Sequence, residues 1–172
     1  MASLPVTWHW RKLDELNPRL LHAILAARQE VFIVGQGLNY VDADAYDFEA
    51  WHLAAWHETE AGLELAAYLR LIPLANGATS SESAAAQGSG LPVFKIGRVL
   101  TRPAYRGQGL GIALMQHLLT HVKSNFGNCR LTMSAQSYLE EFYGKFGFIR
   151  EGEHYLEEGL EHIRMSRDSI VR

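Results

Sequence analysis

The order of local patterns along the sequence predicts a mixed α/β (α+β) fold, in which a central sheet of about seven strands carries helices on both faces. Three observations predict this class. Helical periodicities alternate with short β-prone runs, two pairs of runs have the spacing of β-hairpins, and one run leads through a glycine loop directly into a helix. The predicted order is strand, helix, loop or short helix, three strands, helix, strand, helix and two strands.

Length and composition indicate one globular domain. The chain has 172 residues, of which 48% are hydrophobic and 20% charged, and a chain of this size buries roughly two thirds of its unfolded surface. No apolar run approaches the ~20 residues that span a bilayer. We therefore predict a single domain over residues 1–172, with a flexible loop at about residues 75–90, where small and polar residues predominate.

The net charge and the cysteine content limit which binding partners and which cellular compartment we expect. The 16 Lys and Arg against 19 Asp and Glu give a net charge of −3, so we expect neither nucleic acid nor a membrane as a partner. The single cysteine, Cys129, excludes an intrachain disulfide framework and is expected to be a small buried hydrophobe in a strand. The first residues lack the charged and apolar segments of a secretion signal, which predicts a cytoplasmic protein.

The first two elements have clear boundary signals. A strand is predicted over Val6–Leu13, because apolar and polar side chains alternate there. Asn17 then offers an N-cap and Pro18 a first helical residue, and apolar residues recur at helical spacing as far as Val34 and Gly35. These signals predict one helix over that stretch.

An acidic segment follows this helix. Asp42, Asp44 and Asp47 are spaced as in some calcium loops, but the glycine and the final glutamate of an EF-hand are absent. We therefore predict a solvated or substrate-facing loop. The next two runs, 51–57 and 63–71, predict a β-hairpin whose alternate residues in the second strand share one face.

Residues 92–111 predict a strand that leads into an anion-binding loop. A β-prone run from Val93 to Leu100 is ended by Pro103, and Gly107, Gly109 and Gly111 follow at alternate positions before a helical pattern. The first turn of a helix presents unpaired N–H groups, so a phosphate or pyrophosphate is the expected ligand. The spacing fits neither a dinucleotide fingerprint nor a Walker A loop.

The remaining elements follow from periodicity and from glycine stops. They are a helix to about Phe126, a strand over Cys129–Ala135, a helix over Ser137–Phe146, and a hairpin from Phe148–Tyr155 and His162–Arg167. His117 and His121 lie four residues apart on the first of these helices, but the glutamate of a zinc-protease motif is absent. We expect both histidines to be exposed to solvent and predict no metal.

Two motifs together resemble the GNAT superfamily, the Gcn5-related N-acetyltransferases. Arg106-x-x-Gly109-x-Gly111 resembles motif A, the loop that holds the pyrophosphate of acetyl-coenzyme A in that family. The stretch from Gln136 to Phe148 resembles motif B, with Tyr143 at the tyrosine of its consensus and glutamine where asparagine is usual. The resemblance covers about residues 92–168 and implies a mostly antiparallel sheet of GNAT type.

A looser resemblance to the ElaA-like branch of the superfamily extends over the N-terminal half and the end of the chain. It rests on Arg28, Val31, Phe32, Val34, Gln36, Tyr40, Asp42, Asp44, Asp47, His52, His162 and Met165. The sequence departs from that branch at Gly35, where glutamate is usual, and at Leu38-Asn39, where Cys-Pro is usual.

The resemblance implies acetyl-coenzyme A as the cosubstrate, without a metal. Backbone groups of Val99, Leu100 and Thr101 are then expected to pair with its pantetheine arm. The other residues implied in cofactor binding are Arg106, Gly107, Gln108, Gly109, Leu110, Gly111 and Gln136.

The implied reaction is direct attack of a neutral primary amine, on a small molecule or peptide, on the thioester. Tyr143 is the expected general acid, because a phenol can donate to the departing thiolate. No base stands out, because Lys95 falls near the strand position where many GNAT enzymes place glutamate. Asp42, Asp44, His52 and an ordered water are the candidates for the base, and the three side chains are also assigned to substrate binding. An acidic loop at the thioester would favour a cationic amine.

A second reading is a non-catalytic acyl-CoA sensor or regulatory module on the same fold, since fold does not determine function. The acceptor amine and the acyl-chain preference are left open by the sequence. It also leaves open whether the protein is a monomer or a homodimer.

Overall fold

The computed structural model describes residues 4–74 and 90–169. Apart from Gly90, the loop predicted at residues 75–90 lies outside these ranges. The strands are β1 (Thr7–Lys12), β2 (Trp51–Thr59), β3 (Gly62–Leu74), β4 (Val93–Thr101), β5 (Cys129–Gln136), β6 (Ile149–Glu157) and β7 (Leu160–Ser169). The α-helices are α1 (Pro18–Arg28), α2 (Tyr46–Glu49), α3 (Leu110–Phe126) and α4 (Glu140–Gly144). No helix in the described ranges is long and apolar enough to cross a bilayer.

The strands form a seven-stranded sheet in the order β1-β2-β3-β4-β5-β7-β6. The pairs β1/β2, β2/β3, β5/β7 and β6/β7 are antiparallel, and β4/β5 is parallel. The predicted order of elements and the mostly antiparallel sheet are therefore confirmed. The described residues group into two compact units. The first unit consists of the residues up to Ile72 together with Arg98–Leu118. The second unit consists of Pro73–Gly97 and the residues from Leu119 onward. The single-domain organisation stays a prediction.

The β2–β3 hairpin forms where the sequence predicts it, but its second strand carries an additional residue. Ala55 pairs with Ala67, whereas the next residue, Trp56, pairs with Leu65. Ala66 is therefore the additional residue, and β3 has a bulge at this position. A bulge reverses the alternation of side chains between the two faces of a strand.

This bulge changes which side chains of β3 share a face. The expectation that alternate residues from Leu63 to Leu71 lie on one face is wrong, because the register shifts between them. Leu65 instead packs in one buried cluster with Tyr68. The carbonyl of the bulged residue accepts the N–H of Arg102 at 3.0 Å, just beyond the end of β4.

Helix α1 begins as predicted but ends earlier. The side chain of Asn17 accepts the N–H three residues later at 3.0 Å, which caps the helix. After Arg28 the backbone continues as a π-helical segment, Gln29–Val34, closed by a bond from the N–H of Gly35 to the carbonyl of Glu30 at 2.9 Å. Apolar residues of this segment still pack against the core. The hydrophobic periodicity of the sequence therefore does not reveal the change from α-helix to π-helix.

The first unit has a hydrophobic core made by α1, β2, β3 and the end of β4. Its buried members are Leu16, Ile24, Ala27, Ala54, Trp56, Leu65, Tyr68 and Leu100. Complete burial of an aliphatic or aromatic side chain stabilises a fold by roughly 1.5–3 kcal/mol, so this cluster fastens α1 to the sheet. His117 of α3 is half-buried and stacks on Trp8, with ring centroids 4.1 Å apart, so its predicted exposure is wrong.

The second unit contains a three-stranded antiparallel sheet of β5, β7 and β6. Residues 129, 131, 133 and 135 of β5 are apolar and buried, whereas residues 130, 132, 134 and 136 are polar. Cys129 is fully buried, and burial raises the pKa of its thiol to about 11, which confirms it as a small buried hydrophobe. A 3₁₀ turn, Ser137–Leu139, precedes α4 in place of a longer predicted helix.

A buried network of charges in the first unit holds the acidic segment. Arg28 of α1 is completely buried, and its Nε donates to Asp42 and its Nη1 to Asp47, both at 2.6 Å. Its Nη2 donates to the carbonyl of Asp42 at 2.8 Å. One guanidinium therefore fixes both ends of the segment.

Two more arginines complete this network from the strands. Nη1 of Arg70, in β3, donates to both Asp44 and Asp47 at 2.6 Å. Nε of Arg98, in β4, donates to Asp42 at 2.6 Å. Three guanidinium groups thus oppose three carboxylates. Burial alone would raise the pKa of Asp47, but the hydrogen bonds and charges of the arginines lower it below its ordinary value.

His52 is a neutral member of the same cluster. Its Nε2 lies 2.9 Å from the carbonyl oxygen of Asp47, which can only accept, so Nε2 carries the hydrogen and Nδ1 accepts the hydroxyl of Tyr68 at 2.7 Å. Burial lowers the pKa of His52 below its ordinary value of 6.5. The imidazole is therefore held in one tautomer.

We expect Arg28→Met to destabilise the fold by about 3–5 kcal/mol, because two buried carboxylates would lose a partner while the aliphatic stem is kept. Urea unfolding would measure this change. The matched control is Arg102→Met, which removes the ion pair between Arg102 and Glu30. These two side chains are 30% and 41% exposed, so the control should lower the free energy of unfolding by at most about 1 kcal/mol. Equal costs for the two variants would contradict the assigned role of the network.

His52 should make stability depend on pH on the acid side of neutrality. The pKa of His52 is lower in the folded protein than in the unfolded chain, where it is 6.5. The contribution of His52 to the free energy of unfolding is therefore complete above pH 6.5 and is lost as the pH falls through the folded pKa. Below pH 6.5 the wild type should lose stability relative to His52→Gln by up to about 1.4 kcal/mol per pH unit. Denaturant titrations between pH 5 and 8 test this, and parallel curves for the two proteins would refute it.

Candidate active site

The glycine loop lies between β4 and α3, as the sequence predicts. Gly107 and Gly109 have φ values of +75° and +78°, and Gly109 accepts the first helical hydrogen bond, from the N–H of Ala113 at 3.1 Å. The N–H groups between these two residues, from Leu110 to Ile112, have no partner within the helix. The loop therefore ends in a cluster of backbone donors at the positive end of a 17-residue helix.

Glycine is required in this loop by the backbone conformation and not by the close approach of neighbouring atoms. A Cβ atom at Gly107 or Gly109 would meet no heavy atom within 4 Å, whereas a left-handed φ is strained for any other residue type. The space above the backbone is open, so an anion can approach the N–H groups closely. These features fit a pyrophosphate.

The chain that enters this loop is anchored at several points. The hydroxyl of Tyr105 donates to Glu64 of β3 at 2.7 Å, and Nε of Arg102 donates to Glu30 at 2.7 Å. Tyr105 is itself buried, and this burial, with the adjacent carboxylate, raises the pKa of its phenol. Nε of Arg106 donates to the backbone carbonyl of Thr101 at 3.2 Å. The entry to the glycine loop is therefore well fixed.

Strand β4 changes conformation before its last residues. Its ladder with β5 covers Val93–Ile96, and Arg98 has a φ of +53°, which is rare for a residue with a side chain. Leu100 is buried in the core of the first unit, whereas Val99 and Thr101 are half-buried. The ion pair of Arg98 with Asp42 holds this kink in place.

Tyr143 of α4 is buried and has a free hydroxyl. The residue is 4% exposed and lies edge-on to Phe142 and Phe148. Within the described parts of the chain its hydroxyl has no hydrogen-bond partner. Burial raises the pKa of the phenol, so the group stays protonated and can act as a donor. A buried tyrosine with an unused donor is typical of a ligand site.

The other predicted site residues are placed as follows. Gln108 is exposed, Leu110 is buried and Gln136, the last residue of β5, is half-buried. Lys95, near the position where many GNAT enzymes place glutamate, is half-buried in β4. Their predicted roles in cofactor binding and catalysis stay predictions.

The three residues assigned to substrate binding belong to the buried network. The side chains of Asp42 and Asp44 are 3% and 33% exposed, and both are paired with arginines. His52 uses both ring nitrogens within the protein. Because three arginines balance the three aspartates, the acidic segment offers little free negative charge, and the argument from it for a cationic acceptor loses its basis. The assignment to substrate binding stays a prediction.

Sequence reasoning missed the residues that support the site. Arg70 and Arg98 stand alone within apolar strand runs, and this isolation is a usable signal for a buried ion pair. Tyr105 and Glu64 lie 41 residues apart, and no local pattern connects them. Among residues 4–74 and 90–169, no three His, Cys, Asp or Glu side chains come together as a metal site.

Comparisons with known proteins agree with this geometry. A family model for the acetyltransferase (GNAT) domain matches residues 73–169. A UPF0039 protein of Synechocystis is 35% identical over 163 residues, which cover 94% of this chain and 95% of that protein. Protein ElaA of Escherichia coli is 31% identical over 167 residues, which cover 96% of this chain and 98% of ElaA.

Solved structures show the same relationship. The crystal structure of an acyl-CoA N-acyltransferase from Pseudomonas aeruginosa matches with a TM-score of 0.77 and 34% identity, over 95% of this chain and 99% of that one. Escherichia coli ElaA matches with a TM-score of 0.77 and 32% identity, over the same shares of the two chains. This chain therefore belongs to the GNAT superfamily of acyltransferases and, within it, to the ElaA-like branch.

Proposed function

We propose that this chain is an N-acetyltransferase that transfers an acetyl group from acetyl-coenzyme A to a primary amine of a small molecule or peptide. The observation that carries the proposal is the open glycine loop at the N-terminus of α3. The similarity to an acyl-CoA N-acyltransferase of Pseudomonas aeruginosa supports both the acyl-CoA donor and the nitrogen acceptor.

The cofactor would be held mainly by backbone groups. We assign the N–H groups of Gly107–Gly111 to the pyrophosphate, with the side chain of Arg106 adding positive charge nearby. The β4–β5 ladder ends at Ile96, so we assign the peptide groups of Val99–Thr101 to the amides of the pantetheine arm. Gln136 would contribute a side-chain amide to the same arm.

The chemistry requires that a neutral amine attack the thioester and that the thiolate leave. A backbone N–H near Leu100 would polarise the thioester carbonyl. Tyr143 would donate its proton to the departing sulfur. Because burial raises the pKa of this phenol, a hydrogen bond that strengthens as the thiolate forms describes its role better than complete prior transfer of the proton.

Substitution in the loop should weaken cofactor binding specifically. Gly109→Ala and the control Gly159→Ala both place alanine at a φ of +78°, so both should lose about 1–2 kcal/mol of stability. Only Gly109→Ala should bind coenzyme A at least about tenfold more weakly by calorimetry, because its Cβ would enter the space of the anion. Equal dissociation constants for both variants and the wild type would exclude the loop from cofactor binding.

Tyr143→Phe separates an enzyme from an acyl-CoA sensor. We expect the variant to bind coenzyme A within about twofold of the wild type while kcat falls about 100-fold, measured as release of free coenzyme A in the presence of spermidine, lysine or kanamycin. The control is Tyr138→Phe, which alters an exposed phenol nearby. Binding of acetyl-coenzyme A by the wild type without transfer to any amine would favour the sensor.

A further inference from the structure

One face of the sheet in the second unit carries mostly polar side chains, with Ile149 and Leu160 as the apolar exceptions. Gln136, His162 and Tyr155 lie opposite one another in register across β5, β7 and β6. Directly opposed residues of antiparallel strands project to the same face. These three side chains therefore form a row across the sheet, at the end of β5 that leads into the turn before α4.

His162 is held in a tautomer that leaves a basic nitrogen free. Its Nδ1 lies 2.9 Å from the backbone carbonyl oxygen of Leu160, and because a carbonyl only accepts, Nδ1 carries the hydrogen. The lone pair is then on Nε2, which has no hydrogen-bond partner in the described part of the chain. The ring is half-buried, with its centroid 6.2 Å from that of Tyr155.

Polar groups surround this imidazole on the same face. Ser134 donates to the carboxylate of Glu157 at 2.6 Å and is also hydrogen-bonded to the hydroxyl of Tyr155. The guanidinium of Arg164 lies 5.7 Å from the Tyr155 ring. Glu157, Tyr155 and Arg164 are the titratable or charged side chains of β6 and β7 that flank His162. Glu157 is exposed, so a carboxylate is available to an incoming cation.

Other histidines are less suited to accept a proton. His52 uses both of its ring nitrogens within the protein, and His117 stacks on Trp8. His154 lies between two carboxylates, with nitrogen–oxygen distances of 3.7 Å to Glu140 and 3.5 Å to Glu161. His162 combines a fixed tautomer, partial burial and a place next to the last residue of β5.

The charge of the hairpin indicates the class of acceptor. Between Ile149 and Ser169 the sequence has six acidic residues and three arginines. Arg130 of the neighbouring strand β5 pairs with Glu151 and Asp168, which leaves an excess of two negative charges. A surface of this sign attracts cations and raises their local concentration. This hairpin, and not the neutralised acidic segment, is therefore the feature that favours a cationic acceptor.

We propose that this face receives the acceptor, a primary amine on a cationic molecule, and that Nε2 of His162 takes the proton which makes the amine nucleophilic. The inference rests on the proposed acetyl transfer. Nε2 accepts one proton from the ammonium group, the released lone pair forms the C–N bond, and the C–S bond breaks with its electron pair on sulfur. Sulfur takes the proton of Tyr143, the nitrogen loses its second proton to solvent, the Tyr143 phenolate regains a proton from solvent, and the imidazolium releases its proton to solvent.

The decisive variant is His162→Asn, because the asparagine amide can still donate to the carbonyl of Leu160 while no basic nitrogen remains. With spermidine as the acceptor, we expect kcat/KM at pH 7 to fall at least about 100-fold, with unchanged binding of coenzyme A and unchanged melting temperature. The deficit should shrink as pH rises towards the pKa of the amine, because the acceptor is then already neutral. The control His154→Asn should follow the wild-type pH profile.

Each result of this experiment has a separate meaning. A His162→Asn enzyme within about threefold of the wild type at every pH would overturn the assignment of His162, and so would a deficit of the same size at pH 7 and pH 10. Absence of transfer by the wild type would instead contradict the acetyltransferase proposal. In that case NMR of the imidazole nitrogens provides the test of His162: perturbation of its Nε2 resonance by spermidine supports the acceptor site, and an unchanged resonance overturns it.

Discussion

The contact of Arg28 with Asp42 and Asp47 is the constraint on which the first unit depends. Moving an ion out of water costs several kcal/mol, and only a complete set of partners offsets this cost. The segment that carries the aspartates therefore has one low-energy arrangement. The same carboxylate of Asp42 also accepts from Arg98, the residue at which β4 is kinked. The position of the backbone that we assign to the pantetheine arm therefore depends on Arg28 of α1, through Asp42.

Local signals predicted the fold because each depends only on residues that are close together along the chain. Asn17 caps α1 since its short side chain reaches the first turn, and Pro103 ends β4 since it has no N–H to donate. The glycine loop was predictable for the same reason: a left-handed φ at Gly107 and Gly109 requires that residue type. The sequence thus predicted the element order, the mixed sheet and the place of the loop.

Features that depend on particular hydrogen bonds and ion pairs of the folded chain were not predictable. The sequence shows that Asp42 is acidic, but not that Arg98, 56 residues away, neutralises it. It shows a histidine at position 162, but not that its Nδ1 donates to the carbonyl of Leu160, two residues earlier in β7, which decides the tautomer. The π-helical segment after Arg28 preserves the apolar pattern of an ordinary helix. In each case a contact made on folding, and no pattern of residue types, decides the local structure.

The bulge at Ala66 has a consequence for how this protein tolerates changes in length. On one side of the bulge, Glu64 meets Tyr105 and Leu65 enters the core. Because Leu65 already pairs with Trp56, deletion of Ala66 would leave both side chains on their present faces and would turn the bulge into a regular ladder. The deletion would, however, remove the carbonyl that accepts the N–H of Arg102, so we expect its effect on the backbone just beyond β4 and not on the facing of side chains in β3.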